Sequence, residues 1–255
     1  KKLLGHLKEG TLSVEGTTAF NPQTLLPQPQ LSLTLKNARL SVPQWMTGSY
    51  TGQLHLTSHT DTPFALAGQL ELSTGRNLQS FLGRSTQYTA FEQLLSREKP
   101  DEPTLSFDLT LVIPSESFQA TYAFLTTPIG GKLSLKHSPE NPQVSGVIHS
   151  SSGILRFRNH EFSIQDLELR FDPTHLWKSR LFLQAQSTIQ GYLIKLNVHG
   201  ILENYEYEFT SVPFLPKRQV LALILFGRQH EDLTDADQTE LLQIDLGNAI
   251  IQQMP

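Results

Sequence analysis

The sequence predicts a mostly β chain: a long, mainly antiparallel sheet with one apolar face, ended by short C-terminal helices. Three observations predict it. A Gly-x-apolar-x-apolar unit recurs, as Gly52-Gln-Leu-His-Leu, Gly68-Gln-Leu-Glu-Leu, Gly131-Lys-Leu-Ser-Leu and Gly153-Ile-Leu-Arg-Phe. Apolar and polar residues alternate through most of the chain, which is the period of a half-buried strand. Hydrophobic residues make up 38% and charged residues 17%. Ser, Thr, Gln and Asn fill the gap, as suits a broad sheet with one wet face.

Each repeat reads as a turn followed by a strand. Leu54, Leu56, Leu70, Leu72, Leu133, Leu135, Leu155 and Phe157 then share the apolar face, and Gln53, His55, Gln69, Glu71, Lys132, Ser134 and Arg156 the polar one. Leu31, Leu33 and Leu35 alternate in the same way, as do Leu105, Phe107, Leu109, Leu111 and Ile113. Residues 76–103 lose the period of two. Phe91, Leu94 and Leu95 suggest a short amphipathic helix there, ended by Lys99-Pro100, that caps or crosses the sheet. Between Ile164 and Leu167 the alternation changes phase, and a turn or bulge at Gln165-Asp166 restores it. Tyr192, Ile194, Leu196 and Val198 form a later strand, and Tyr205, Tyr207 and Phe209 another.

The C-terminus changes character. Pro216 suits the first position of a helix and Gly227 its end. Val220 to Phe226 is apolar on every side, too short to span a bilayer and too greasy to face water. A second helix is expected from Thr234, with Asp237 completing a capping-box-like pair. The chain thus divides into a sheet segment 1–75, an insertion 76–103, a continuation of the same sheet over 104–212 and a helical cap 213–255. Lys1 begins in mid-pattern, and the chain reads as an excerpt of something longer.

Composition argues against most chemistry. Formal net charge is -4 with no long basic run, which speaks against nucleic acid. With no cysteine, thiolate zinc, disulfides and thiol catalysis are excluded. His55, His59 and Asp61 form at most a metal pair on a strand, and a polar outer face accounts for them better. Arg156, Arg158 and His160 alternate on one predicted strand, as an anion patch or, more simply, a solvated face. Asp232, Asp235, Asp237 and Glu240 lack the glycine and spacing of a calcium loop. Glu203, Glu206 and Glu208 read as the charged side of a strand rather than a glycosidase pair. Gly130-Gly131 reads as a hairpin turn, and no nucleophile elbow, phosphate loop or dinucleotide fingerprint occurs. The reading is a non-enzyme with no cofactor. Periodicity alone fits a β-sandwich core as well as an open apolar face.

One resemblance separates these. Leu105–Ile113, Gly131-Lys-Leu-Ser-Leu, Pro142-Gln-Val-Ser-Gly146, Gly153-Ile-Leu-Arg-Phe, Phe162-Ser-Ile and Leu169-Arg-Phe171 follow the order of the TamB family's C-terminal region. The most specific part is Ser211-Val-Pro-Phe-Leu215 with Leu221-Ala-Leu-Ile-Leu-Phe-Gly-Arg228, where Val212 and Phe214 depart from the family's usual residues. The resemblance implies a curved, β-taco-like apolar groove in the periplasm. It implies that this groove is part of an inner-membrane-anchored protein of a diderm bacterium. It implies phospholipid acyl chains as cargo, along a groove lined by Leu54, Leu56, Leu70, Leu72, Phe107, Leu109, Leu133, Leu135, Leu155 and Phe157. It implies docking on a BamA- or TamA-like outer-membrane barrel protein near Tyr205, Tyr207, Phe209, Leu223 and Ile224. Its other implied role is assembly of outer-membrane proteins through β-strand addition.

Overall fold

The structure, a computed structural model, describes residues 2–6, 9–20, 27–42, 46–58, 64–77, 105–121, 124–137 and 143–228. Its strands are β1 (Lys2–His6), β2 (Thr11–Phe20), β3 (Pro27–Val42), β4 (Met46–Thr57), β5 (Phe64–Asn77), β6 (Leu105–Thr121) and β7 (Leu125–His137). They continue as β8 (Gln143–Ser150), β9 (Ile154–Phe157), β10 (His160–Phe171), β11 (Arg180–Ile189), β12 (Tyr192–Ile201) and β13 (Asn204–Val212). One helix follows, α1 (Lys217–Phe226).

All the strands join one curved sheet in chain order, with β1 and β13 at its two ends, so the sheet stays open among the described residues. The short β8 and β9 together fill one place, both lying between β7 and β10. Every neighbouring pair is antiparallel except β5 and β6, which run parallel. A parallel pair needs a crossover of a dozen or more residues, and only the stretch after Asn77 is long enough to supply it. That stretch, with the expected helix around Phe91, lies outside the described residues. So does the expected helix from Thr234. Arg76 and Asn77 themselves belong to β5.

Gly153 stands, as expected, in the connection before β9, but the other three repeated glycines are not turns. Gly52, Gly68 and Gly131 stand in the middle of β4, β5 and β7, and Gly130-Gly131 pairs with β8 instead of closing a hairpin. The register explains them. Gly52 lies between Leu35 and Leu70, and Gly68 between Leu54 and Leu109, all on the apolar face. A side chain is missing where the larger neighbours converge, so Leu70 and Leu109 reach the buried Leu35–Ala38–Leu54 cluster. At Gly52 (φ 159) an added Cβ would stand 2.2 Å from the Gln69 carbonyl oxygen, which only glycine avoids. Removing bulk from one face lets the sheet bend toward that face. Leu35, Leu72, Ile113 and Phe118 are buried, and among the described residues no helix residue packs on their clusters.

The phase change between Ile164 and Leu167 is a bulge, which returns both side chains to the core. Arg156, Arg158 and His160 do not share a strand. β9 stops at Phe157, and Arg158, with φ 55, forms the turn into β10. Arg156 pairs with Glu161 across that hairpin at 3.1 Å. Pro216 caps α1 from one residue before it, and Gly227 ends it in the left-handed conformation, donating its N–H to the Leu223 carbonyl.

Candidate functional site: an apolar trough

Cross-strand register assembles the apolar face in rows. One runs Leu31, Leu56, Leu66, Phe107. The next runs Val14, Leu33, Leu54, Gly68, Leu109, Leu135, Val144. A third runs Leu12, Leu35, Gly52, Leu70, Leu111, Leu133, Gly146. Directly opposed residues share a face, so the rows form a continuous apolar surface over β2–β8. No Asp, Glu, Lys or Arg occupies a register position in these rows. Burial pushes the phenols of Tyr50 and Tyr205, farther along this face, above their ordinary pKa, so neither contributes charge near neutral pH. The opposite face is wet: Gln53, His55, Gln69, Glu71 and Lys132 are exposed, and Asp108 pairs with Lys136 at 3.0 Å.

The expected lining residues fall into three groups. Leu56 and Leu135 are half-buried and, among the described residues, belong to none of the three buried clusters, so their side chains face the trough. Phe107, also half-buried, opposes Leu66 in the same row as Leu56. Leu70, Leu109 and Leu133 are also half-buried but pack on buried neighbours, while Leu54 and Leu72 are buried and form the floor. Leu155 and Phe157 lie elsewhere. They join Phe162, Ile164, Leu183, Leu196 and Phe209 in a cluster that α1 covers.

That cluster also receives the expected docking residues. Tyr205 and Tyr207 pack against it, Phe209 is buried in it, and Leu223 and Ile224 are fully buried on α1. The helix is pinned at both ends. The Ser211 hydroxyl accepts the Leu215 N–H at 2.8 Å, and the Gln190 amide donates to the Gly227 carbonyl at 2.6 Å. Thr127 and Ser150, both buried, mark the seam where β8 gives way to β9. Their hydroxyls lie 2.8 Å apart, and that of Thr127 lies 2.6 Å from the Ser152 carbonyl oxygen. This satisfied polar node lies between the Tyr50–Ile129 cluster and the one under α1.

Sequence reasoning missed Leu66 and Val144 as trough residues, and Tyr50, Phe118 and Ile129 as a buried cluster. Phe118 and Ala120 resume the alternation after a shift between Ile113 and Phe118, and Pro114 within the gap was the available signal. His55 bonds the Ser32 hydroxyl at 3.1 Å, whereas His59 and Asp61 lie outside the described residues. Glu206 and Glu208 are exposed on β13, and Glu203 sits in the turn before it. Among the described residues no three potential ligands gather as a metal site. No described helix is long and apolar enough to cross a membrane.

A search of curated proteins finds no match. The family model described as the TamB C-terminal domain matches residues 2–254, essentially the whole chain. The chain therefore belongs to the TamB family, a translocation and assembly component of the bacterial envelope with a part in outer-membrane biogenesis.

Proposed function

We propose that this chain is a periplasmic segment that carries phospholipid toward the outer membrane, acyl chains in the trough and headgroups in water. The observation that carries the reading is the apolar face of β2–β8, whose rows hold no Asp, Glu, Lys or Arg, with Leu56 and Leu135 packed on none of the buried clusters among the described residues. Each methylene moved from water into such a trough gains about 0.8 kcal/mol. Seven strands give a trough of roughly 29 Å. One leaflet's acyl chains span about half of a ~30 Å hydrocarbon core, so the trough exceeds one lipid's length. Travel along it needs no bond chemistry.

At the end beyond α1, β13 has hydrogen bonds to β12 alone among the described strands. That edge suits addition of a strand from a barrel-associated domain or from a client β-strand.

Native mass spectrometry of the purified chain tests the lipid reading. Phospholipid should accompany the unaltered chain and the Gln69→Asp variant. It should be lost from Leu135→Asp, which places an unpaired carboxylate against acyl chains while keeping its strand circular dichroism. Lipid-free unaltered chain, or equal loss from the Gln69 variant, would remove the proposal.

A further inference from the structure

We propose that the rim surface of residues 176–182, with Arg170 beside it, docks on an anionic bilayer surface. This surface lies at the end of β10–β12, away from the β2–β8 trough. Leu176, Trp177 and Phe182 are exposed by 39%, 47% and 37%, three of the seven exposed large apolar side chains among the described residues.

Cations accompany them. Arg170 and Arg180 are directly opposed in the β10–β11 register, and like charges so placed repel. Glu168 engages Arg170 at 3.0 Å, while Arg180 has no carboxylate partner among the described residues. Both arginines, with Glu168, Phe182 and Ile201, line an open cleft of about 440 Å³. A phosphate seated between the guanidinium groups would relieve their repulsion and accept hydrogen bonds from both. Trp177 and Leu176, beside Lys178, have the composition of an interfacial anchor: an amphipathic ring, an aliphatic chain and a cation that reaches headgroups.

The surface is held ready. Asp172 Oδ1 accepts the N–H groups of Thr174 and His175 at 2.8 and 3.0 Å. The Trp177 carbonyl accepts the Glu203 N–H at 2.9 Å, and the Ser179 hydroxyl accepts that of Asp172 at 3.0 Å. Little ordering entropy remains to be lost on docking. The carboxylates near the surface are Glu168, paired with Arg170, Asp172, ionised in its turn beside Lys178, and Glu203. Formal charges balance over the whole surface, so Arg180, the cation without a described carboxylate partner, is the local anchor for a headgroup phosphate.

Trp177 is one of two tryptophans, so Trp45→Phe makes it the sole fluorophore. With phosphatidylcholine–phosphatidylglycerol vesicles its emission should move to the blue and be quenched by lipids brominated near the headgroup. Arg180→Glu should weaken vesicle binding on the order of tenfold, and raised salt should weaken it too. The trough variant Leu135→Asp should keep the response, which separates this surface from the lipid-carriage reading. A folded protein with no shift overturns the proposal. So does an equal response on pure phosphatidylcholine, a response saturated by soluble glycerol phosphate, or loss of the response in Leu135→Asp.

Discussion

The Tyr205 hydroxyl is buried with no hydrogen-bond partner, and burial, then the neighbouring Tyr207, raise its pKa. An unmet buried hydroxyl costs about 1–3 kcal/mol. Tyr205→Phe keeps the ring against the α1 cluster and removes that cost. Urea unfolding should show a gain of about 1 kcal/mol, and a loss of that size would mean the hydroxyl has a partner in solution. Asp172 is the opposite case. Hydrogen bonds from the Thr174 side chain and from the His175 and Thr174 backbones hold its pKa down to about 2, against an ordinary 3.8. A depressed carboxylate lends its ordering above the unfolded value and loses it as pH falls through the folded one. The 172–179 loop should therefore stay ordered at pH 4 and above and loosen between about pH 4 and 2. Amide exchange at Thr174 and His175 reports this, and in Asp172→Ala both amides should exchange faster at every pH. Gly52 carries the curvature. Gly52→Ala meets the Gln69 carbonyl oxygen at 2.2 Å in a backbone conformation closed to alanine. A loss of more than about 1 kcal/mol is expected, and an unchanged melting temperature would remove the structural role assigned to it.

Among the elements, α1 supplies four buried residues to the largest of the three described clusters. Val220, Ala222, Leu223 and Ile224 are almost wholly buried, so Leu223→Ala should cost about 2–5 kcal/mol in urea unfolding. For the same reason, serine at Leu223 and Ile224 would report on folding rather than on docking, and a partner is better sought at the free edge of β13. The helix was legible because an apolar run bounded by Pro216 and Gly227 has few other solutions. The bulge at Gln165-Asp166 was legible because a polar pair breaks an otherwise strict alternation. The parallel pairing of β5 and β6 was not, since alternation says which way side chains point and nothing of which way the neighbouring strand runs. The mid-strand glycines misled because glycine marks a turn in most contexts. Only the register shows that Gly52, Gly68 and Gly131 face larger residues on a concave side. The rim surface around Trp177 left no periodic signal, because β10–β11–β12 side chains and a loop create it together.

At the scale of the molecule, the sheet divides between a covered and an uncovered part of one apolar face. Periodicity could not foretell that division, because a sandwich core and an open trough alternate alike, and the resemblance alone pointed to the groove. A helix of 10 residues is about 15 Å long, which covers some three strand spacings. Of the remaining strands, β2–β8 keep apolar rows that no described helix covers. If lipid travels there, its contacts should follow this boundary and not the alternation alone. Photocrosslinkers at Leu56, Phe107 and Leu135 should capture phospholipid in cells, and those at Gln69 and Lys132 should not. Leu155 and Phe157, under α1, should capture none while the helix is seated. Ending the chain before Lys217 should uncover them and make both positions reactive, provided strand circular dichroism shows that the sheet persists. Capture at Leu155 and Phe157 in the intact chain would mean that α1 leaves its site during transport. Capture at Gln69 and Lys132 instead would put the lipid path on the other face of the sheet.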